Sequence, residues 1–156
     1  MQLFKTISAV ALLAATVAAA PAPKAASTSP NPHVIFTKRD NPANDCGPAH
    51  FDNMSSGGSP TVGDCQQIAY NIRNGGSWAV GCGTGRHQLV QYGTCAFGVS
   101  CNEIAVINVG NTDIIDLIND SIRQFAWSGL VGAEGTMKCQ NVAWGDVDTW
   151  WGIWHT

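Results

Sequence analysis

Basic residues are scarce in this sequence, and they are distributed unevenly along it. The 156 residues include 8 Lys and Arg against 11 Asp and Glu, for a net charge of −3. No acidic residue precedes Asp40, so from Asp40 onwards four basic residues face all eleven acidic ones, a net charge of −7. A chain this acidic, with no basic stripe, is poorly suited to bind nucleic acid or an anionic bilayer surface through electrostatics. We therefore predict neither kind of partner.

Long apolar runs and catalytic signature motifs are also missing. Beyond the N-terminal leader, no stretch approaches the roughly 18 uncharged apolar residues that a spanning helix needs, so no transmembrane segment is predicted in the mature chain. The glycine cluster GCGTGR at 81–86 is no phosphate loop, because Arg86 stands where GxGxxG needs glycine. No GxSxG occurs, and His50, His87 and His155 lie far apart, without a neighbouring nucleophile motif. The sequence thus predicts no catalytic site and no cofactor.

The N-terminus resembles a secretory leader. Lys5 precedes an alanine-rich, uncharged run that ends in small residues at Ala20 and is too short to span a bilayer stably. We predict a signal peptide over residues 1–20, with the cleavage position open by a residue or two because Pro21 is a poor first residue after a cut. The protein is accordingly expected to be secreted.

Residues 21–39 separate this leader from the first cysteine. They are rich in Pro, Ala, Ser and Thr, with too few large apolar residues to offset the entropy of ordering them, and are expected to be unstructured. The chain's single Lys-Arg pair, Lys38-Arg39, closes this segment. Its position favours a kexin-type processing site that releases one mature domain, residues 40–156, over a chance basic pair in a flexible tail.

Six cysteines lie after that boundary: Cys46, Cys65, Cys82, Cys95, Cys101 and Cys139. An even number of cysteines in a small exported domain favours three disulfides, although the sequence leaves their pairing open. Metal binding is the alternative, but no CxxC pair or Cys/His cluster with ligand spacing occurs. Two Asn-x-Ser sequons, at Asn53 and Asn119, are candidate glycosylation sites in the same pathway.

Two segments have the apolar periodicity of amphipathic helices. In residues 59–76, Thr61 with Asp64 makes a capping box, and Gly75 suits the end of the helix. The second segment, residues 110–129, has a clearer apolar stripe.

The second predicted helix offers two candidate N-caps, Asn111 and Thr112, and Gly129 follows its end. Three acids share one of its faces: Asp113, Asp116 and Asp120. They could hold a cation, but a solvated acidic face that complements the helix dipole is the favoured interpretation.

Strand candidates lie around the second helix. Three precede it, at 77–82, 86–97 and 103–109, and a fourth follows near 135–144. The glycine cluster between the first two is interpreted as a hairpin turn. Helices separated by runs of short strands predict an α+β fold, a small disulfide-bonded two-layer α/β sandwich in which both helices cover one face of an antiparallel sheet.

The C-terminal residues are unusually rich in tryptophan. Trp144 is predicted to end a strand in the core. Trp150, Trp151 and Trp154 could form a binding platform, because indoles suit sugar stacking and protein hot spots. Covering an open edge of the sheet is an equally favoured role for these three.

The order of six blocks along the chain gives it a family resemblance. The blocks are CGPAHFDN, SPTVGDCQQI, GSWAV, HQLVQYGTCAFGV, VGNTDIIDLINDSIRQF and GLVGAEGTMKC…VAWG. In this order they resemble the necrosis-inducing factor domain of fungal secreted effectors, over residues 46–145. The resemblance implies an extracellular, disulfide-bonded effector, for example in the apoplast of a host.

Four cysteines match those typical of that family: Cys46, Cys65, Cys95 and Cys139. Cys82 and Cys101 look like an added pair, and the resemblance implies that they bond to each other. Residues 146–156 lie outside the family pattern as a Trp-rich extension, so they inherit no role from it.

A weaker likeness, in the order of helices and strands, links the chain to small virally encoded fungal killer toxins. Together these likenesses imply a toxin-like virulence or necrosis-inducing factor that binds a host or microbial surface protein or glycan and is not an enzyme. The alternatives are a killer-toxin-like antimicrobial protein and a carbohydrate-binding module that uses the C-terminal tryptophans. A hydrolase using Asp146 and Asp148 is least favoured, because neighbouring acids in a tail offer no visible fixed geometry. The oligomeric state stays open.

Overall fold

The computed structural model describes residues 31–83 and 85–156, so the predicted signal peptide and the first part of the predicted pro-segment lie outside the described residues. Within these ranges the elements follow the order β1 (Val34–Thr37), β2 (Asp52–Asn53), α1 (Val62–Ile72), β3 (Ser77–Gly81), β4 (His87–Tyr92), β5 (Cys95–Ser100), β6 (Val106–Gly110), α2 (Asn111–Phe125), β7 (Ala133–Gln140) and β8 (Asp146–His155). Neither helix in this part of the chain is long and apolar enough to cross a membrane.

The strands divide between two antiparallel sheets. One has the order β1-β3-β6, and the other has the order β2-β7-β8-β5-β4. The α+β class, with two helices, antiparallel strands and three disulfides, is confirmed. The predicted hairpin turn at 81–86 is wrong, because β3 and β4 belong to different sheets and this segment crosses from one sheet to the other.

The predicted strand 86–97 is a hairpin of two strands. Tyr92 pairs directly with Cys95, so the chain reverses over the two residues between them. Gly93 has a φ of +52°, in the left-handed region that glycine enters without the steric cost of a Cβ atom. The turn therefore interrupts an apolar run that otherwise has the composition of one long strand.

The predicted pro-segment contains a strand where no regular structure was expected. Strand β1 pairs antiparallel with β3, and the rings of Phe36 and Trp78 lie 4.8 Å apart. Val34, Ile35 and Phe36 are three residues of high strand propensity in a row, which suffices when an existing sheet edge supplies the hydrogen-bond partners.

At α1 the predicted N-cap is confirmed, but only half of the predicted capping box forms, because the Asp64 carboxylate bonds to Thr94 and not to the Thr61 N–H; at α2 the N-cap differs from the prediction. Thr61 is the N-cap of α1, and its side chain accepts a hydrogen bond from the Asp64 backbone N–H. The N-cap of α2 is Gly110, so the prediction of Asn111 or Thr112 is wrong. The Asn111 side chain instead accepts a hydrogen bond from the Ala43 N–H (2.9 Å) and donates one to the Ile72 carbonyl (3.1 Å).

One apolar core lies between the helices and the inward faces of the strands. Its largest fully buried side chains include Trp151, Phe97, Ile68, Leu89 and Ile107. Three disulfides each place at least one fully buried cysteine in this core: Cys46–Cys139, Cys65–Cys95 and Cys82–Cys101. The last is the pair that the family resemblance implies, and it joins the end of β3 to the segment after β5.

Asp64 joins the first turn of α1 to the β4–β5 hairpin. Its carboxylate accepts hydrogen bonds from the Thr94 backbone N–H (2.9 Å) and hydroxyl (2.6 Å). These bonds to Thr94 are the main reason that the pKa of Asp64 lies below its ordinary value of 3.8, although partial burial opposes them.

We expect Asp64→Asn to lower the free energy of unfolding at pH 7 by about 1 kcal/mol, because the charged acceptor is lost at a partly screened site. A carboxyl whose pKa is depressed by folding contributes stability above its unfolded pKa and loses it as the pH falls through the folded one. The difference in unfolding free energy between Asp64→Asn and wild type should therefore shrink as the pH falls below 3.8, the ordinary pKa of the carboxyl. Urea denaturation across a pH series tests this, with the exposed Asp116→Asn as control. Equal stabilities of Asp64→Asn and wild type at pH 7 would contradict it.

Candidate functional site

Strand β8 runs through the middle of the five-stranded sheet and decides where the C-terminal tryptophans point. It is paired with β7 on one side and β5 on the other. Since side chains alternate along a strand, Trp151 faces the core, whereas Trp150 and Trp154 face away from it. The edge-covering role predicted for these residues is wrong, because β8 is not an edge strand.

Trp151 is a core residue and takes no part in a platform. Its side chain is only 2% exposed, and its ring lies 5.0 Å from the ring of Phe51, in an edge-on arrangement. Of the three tryptophans predicted as a binding platform, the structure therefore brings together two, Trp150 and Trp154, on the outer face of the sheet.

The position predicted for Trp144 is also wrong. Strand β7 ends at Gln140, and Trp144 lies in the turn that leads to β8, with 85% of its side chain exposed. Gly145 follows with a φ of +76°, which lets the chain reverse there. The apolar residues at 142–144 are thus turn residues rather than the end of a strand.

Trp150 is flanked by hydroxyl side chains. Its direct neighbours across the sheet are Thr136 on β7 and Ser100 on β5. The indole is 45% exposed, which is a large exposed fraction for a tryptophan in a central strand. This arrangement leaves an apolar ring open to solvent between two hydrogen-bonding groups.

Two glycines make room for Trp154 beside it. Gly98 and Gly152 are paired across β5 and β8, so neither strand has a side chain on the outer face at that level. A Cβ atom on Gly98 would stand 2.7 Å from Cη2 of Trp154, so only glycine lets the indole lie this close to β5. The Arg86 guanidinium lies 4.7 Å from the Trp154 ring centroid, a cation–π arrangement.

A pocket of about 310 Å³ opens beside Trp150, and Arg86, whose guanidinium lies against Trp154, also lines it. Four strands and the loop before β4 contribute the outward-facing side chains of its lining: Asp52, Arg86, Ser100, Glu134, Thr136 and Trp150. Arg86 also lies 3.7 Å from the Glu134 carboxylate, while Asp52 lies 3.5 Å from the His50 imidazole. We call Trp154 together with this lining the outer face.

The outer face combines groups suited to a ligand that has both an apolar and a polar surface. Trp150 and Trp154 stand four residues apart on one strand, about 13 Å along it. Between and around them are carboxylates, hydroxyls and a guanidinium, which together donate and accept hydrogen bonds. An aromatic surface edged with a few such groups is the usual composition of a ligand pocket.

The three histidines that follow Asp40 in the sequence, His50, His87 and His155, lie in different parts of the structure. His50 lies beside β2, and His155 is exposed at the end of β8. His87 is buried in β4, and its Nδ1 lies 3.0 Å from the Asn31 side-chain nitrogen. Burial lowers the pKa of His87, and the nearby His33 lowers it further. We find no nucleophile beside any of the three among the hydrogen bonds of the described residues.

Two of the three acids on α2, Asp113 and Asp120, have different roles. Asp113 is buried, and its carboxylate accepts hydrogen bonds from the backbone N–H groups of Asp45 (2.9 Å) and Gly110 (2.8 Å). Burial raises the pKa of Asp113, although these hydrogen bonds oppose the rise. Asp120 forms an ion pair with Arg123 at 2.9 Å. Within residues 31–83 and 85–156, no three His, Cys, Asp or Glu side chains are placed to hold a metal ion.

The remaining predicted residues lie on the surface. Asp146 and Asp148 are exposed on β8, and Asp148 lies 3.5 Å from the Lys138 ammonium group. The sequon asparagines Asn53 and Asn119 are both exposed. Lys38 and Arg39 are likewise exposed and directly follow β1. Their roles in processing and glycosylation stay predictions.

Sequence reasoning missed most of the pocket. Arg86 was noted as a departure from a phosphate loop, and Asp52, Ser100, Glu134 and Thr136 were not singled out. A local signal for the strand did exist: Val147, Thr149, Trp151 and Ile153 alternate with outward positions over the whole of β8.

Comparison with known proteins gives a family and a relative. The family model Hce2, described as "Pathogen effector; putative necrosis-inducing factor", matches residues 45–139. A protein of Penicillium expansum named "Probable chitinase LysM18" is 34% identical over 110 residues. That alignment covers 64% of this chain but only 8% of the relative, so the chain spans less than a tenth of the relative's length.

The alternation along β8 predicts opposite effects for neighbouring tryptophans. We expect Trp151→Ala to lower the free energy of unfolding by about 3–5 kcal/mol, because it leaves a cavity in the core. Trp150→Ala should change it by no more than about 1 kcal/mol, because the indole is half exposed. Guanidinium denaturation measures both, with Trp144→Ala as an exposed control. A large loss in Trp150→Ala together with a small one in Trp151→Ala would contradict the register.

Proposed function

The chain belongs to the Hce2 family of pathogen effectors, and from this premise we propose that it is a secreted effector that acts by binding a glycan through the outer face. The observation that carries the proposal is the placement of Trp150 and Trp154 on one side of β8, beside a pocket with polar lining. Three disulfides are consistent with an oxidising, extracellular setting.

The chemistry of the outer face favours a sugar ligand. A pyranose presents C–H groups on its faces and hydroxyls around its rim, so it can stack on an indole while its hydroxyls bond to neighbouring polar groups. Trp150 supplies the exposed ring, and Ser100, Thr136 and Glu134 supply the polar groups. The distance of about 13 Å between Trp150 and Trp154 along the strand exceeds the width of one sugar ring, which favours an oligomer over a monosaccharide.

Charge narrows the class of glycan. With a net charge of −7 from Asp40 onwards, the protein should be repelled by anionic polysaccharides, so a neutral polymer is favoured. The relative from Penicillium expansum is named as a probable chitinase, and chitin is a neutral polymer. We therefore propose chitin or a similar β-linked neutral glycan as the ligand class.

We propose binding without hydrolysis. The two pocket carboxylates, Asp52 and Glu134, lie on neighbouring strands in direct register, and each is near a basic side chain. Exposed and paired in this way, they suit hydrogen bonding to sugar hydroxyls better than proton transfer to a glycosidic oxygen. Virulence or host cell death would then follow from what the bound protein blocks or presents.

The test is retention of the purified, oxidised protein on insoluble chitin. We expect Trp150→Ala and Trp154→Ala each to weaken binding by about threefold to tenfold, since each removes one aromatic stacking partner. Trp144→Ala is the matched control, because it removes an equally large exposed indole that lies outside the pocket. Retention that is equal in all four proteins, or absent from wild type on chitin and cellulose alike, would overturn the proposal.

A further inference from the structure

Strand β1 covers an edge of the three-stranded sheet that would otherwise be open. It pairs with β3 over its full length, from Val34 opposite Val80 to Thr37 opposite Ser77. The other side of β3 is already paired with β6. Removing β1 would therefore leave β3 with a row of unpaired backbone N–H and C=O groups.

The same strand covers apolar side chains of the core. Val34 and Phe36 stand opposite Val80 and Trp78, which are 0% and 4% exposed. The Phe36 ring also lies against Gly76, where a Cβ atom would stand 2.3 Å from the ring. Without β1, the edge of β3 would offer a partner strand two things: backbone groups for hydrogen bonding, and space for one aromatic ring beside Trp78.

A cut at the dibasic pair would separate strand β1 from the rest of the described chain. Lys38 and Arg39 are exposed and follow Thr37 directly, whereas every disulfide lies further along, from Cys46 onwards. After a cut behind Arg39, no covalent bond would hold β1 to the rest of the protein. The cut segment would be held by the four-residue ladder, by the hydrogen bond from the Gly81 N–H to the His33 carbonyl, and by side-chain contacts with Trp78 and His87.

We propose that cleavage after Arg39 releases β1 and turns the edge of β3 into a binding site for an extended segment of a partner protein. Strand addition of this kind takes its affinity from backbone hydrogen bonds and its specificity from pockets for alternate side chains. Strand β1 itself defines the ligand: an antiparallel segment with a β-branched residue at the place of Val34 and an aromatic residue at the place of Phe36. This edge belongs to a different sheet from the outer face, so the inference does not rest on glycan binding.

The test uses the folded, oxidised chain without its predicted signal peptide, residues 21–156, cut with a dibasic-specific protease. The uncut control carries Lys38→Ala together with Arg39→Ala. Gel filtration and mass spectrometry follow release of the segment, near-ultraviolet circular dichroism follows the fold, and fluorescence anisotropy follows binding of a labelled peptide of residues 31–39. We expect the cut protein to bind this peptide and the uncut control not to bind it. A Phe36→Ala peptide should bind about tenfold more weakly, because the contact with Trp78 is lost.

Several outcomes would overturn the proposal. If the cut segment stays with the protein through repeated gel filtration in dilute solution, so that it does not exchange with the peptide, or the near-ultraviolet signal collapses on cutting, β1 is an integral strand. If the cut and uncut proteins bind the peptide equally, or neither binds it, the edge of β3 is not the acceptor. A cut protein that elutes as a dimer and excludes the peptide would show that a second copy, rather than a partner segment, takes the edge.

Discussion

The register of β8 between β5 and β7 is the constraint on which both the core and the outer face depend. A slip of one residue would move Trp151 out to solvent and Trp150 into the core, since side chains alternate along a strand. Strand β8 has no cysteine, but both of its neighbours are covalently fixed, β7 through Cys139 and β5 through Cys95. The disulfides therefore hold the frame into which β8 fits, and the exposure of Trp150 follows from that fit.

This arrangement makes the C-terminal residues part of the fold, although they lie outside the family match. The family match ends at residue 139, before β8 begins, and the resemblance alone leaves 146–156 as an extension. In the structure those residues form the central strand of the larger sheet and carry both outer tryptophans. The glycines that face them, Gly98 with Gly152, keep the outer face shallow enough for Trp154 and Arg86 to lie over the strands. The part that departs from the family pattern is thus structurally inseparable from the part that matches it.

Local sequence signals predicted the local structure well. Both helices, the Thr61 cap and the α+β class follow from periodicity and capping over short stretches, where neighbours in sequence are neighbours in space. Features that depend on pairing between residues far apart in the sequence could not be predicted in this way. Arg86 meets Glu134 only because β4 and β7 share a sheet, and Trp144 is exposed only because β7 ends early. Strand β1 was missed because its stability comes from the edge of β3, which composition does not reveal.

If the effector acts by binding at the outer face, loss of the outer tryptophans should abolish its effect when it is infiltrated into leaves. Purified, oxidised protein would be infiltrated into several plant genotypes beside the Trp150→Ala/Trp154→Ala double variant, the Trp144→Ala control and a reduced, alkylated sample. We expect cell death with the wild type and the control in at least one genotype, and no cell death with the double variant or the reduced sample. Undiminished cell death with a folded double variant would contradict it.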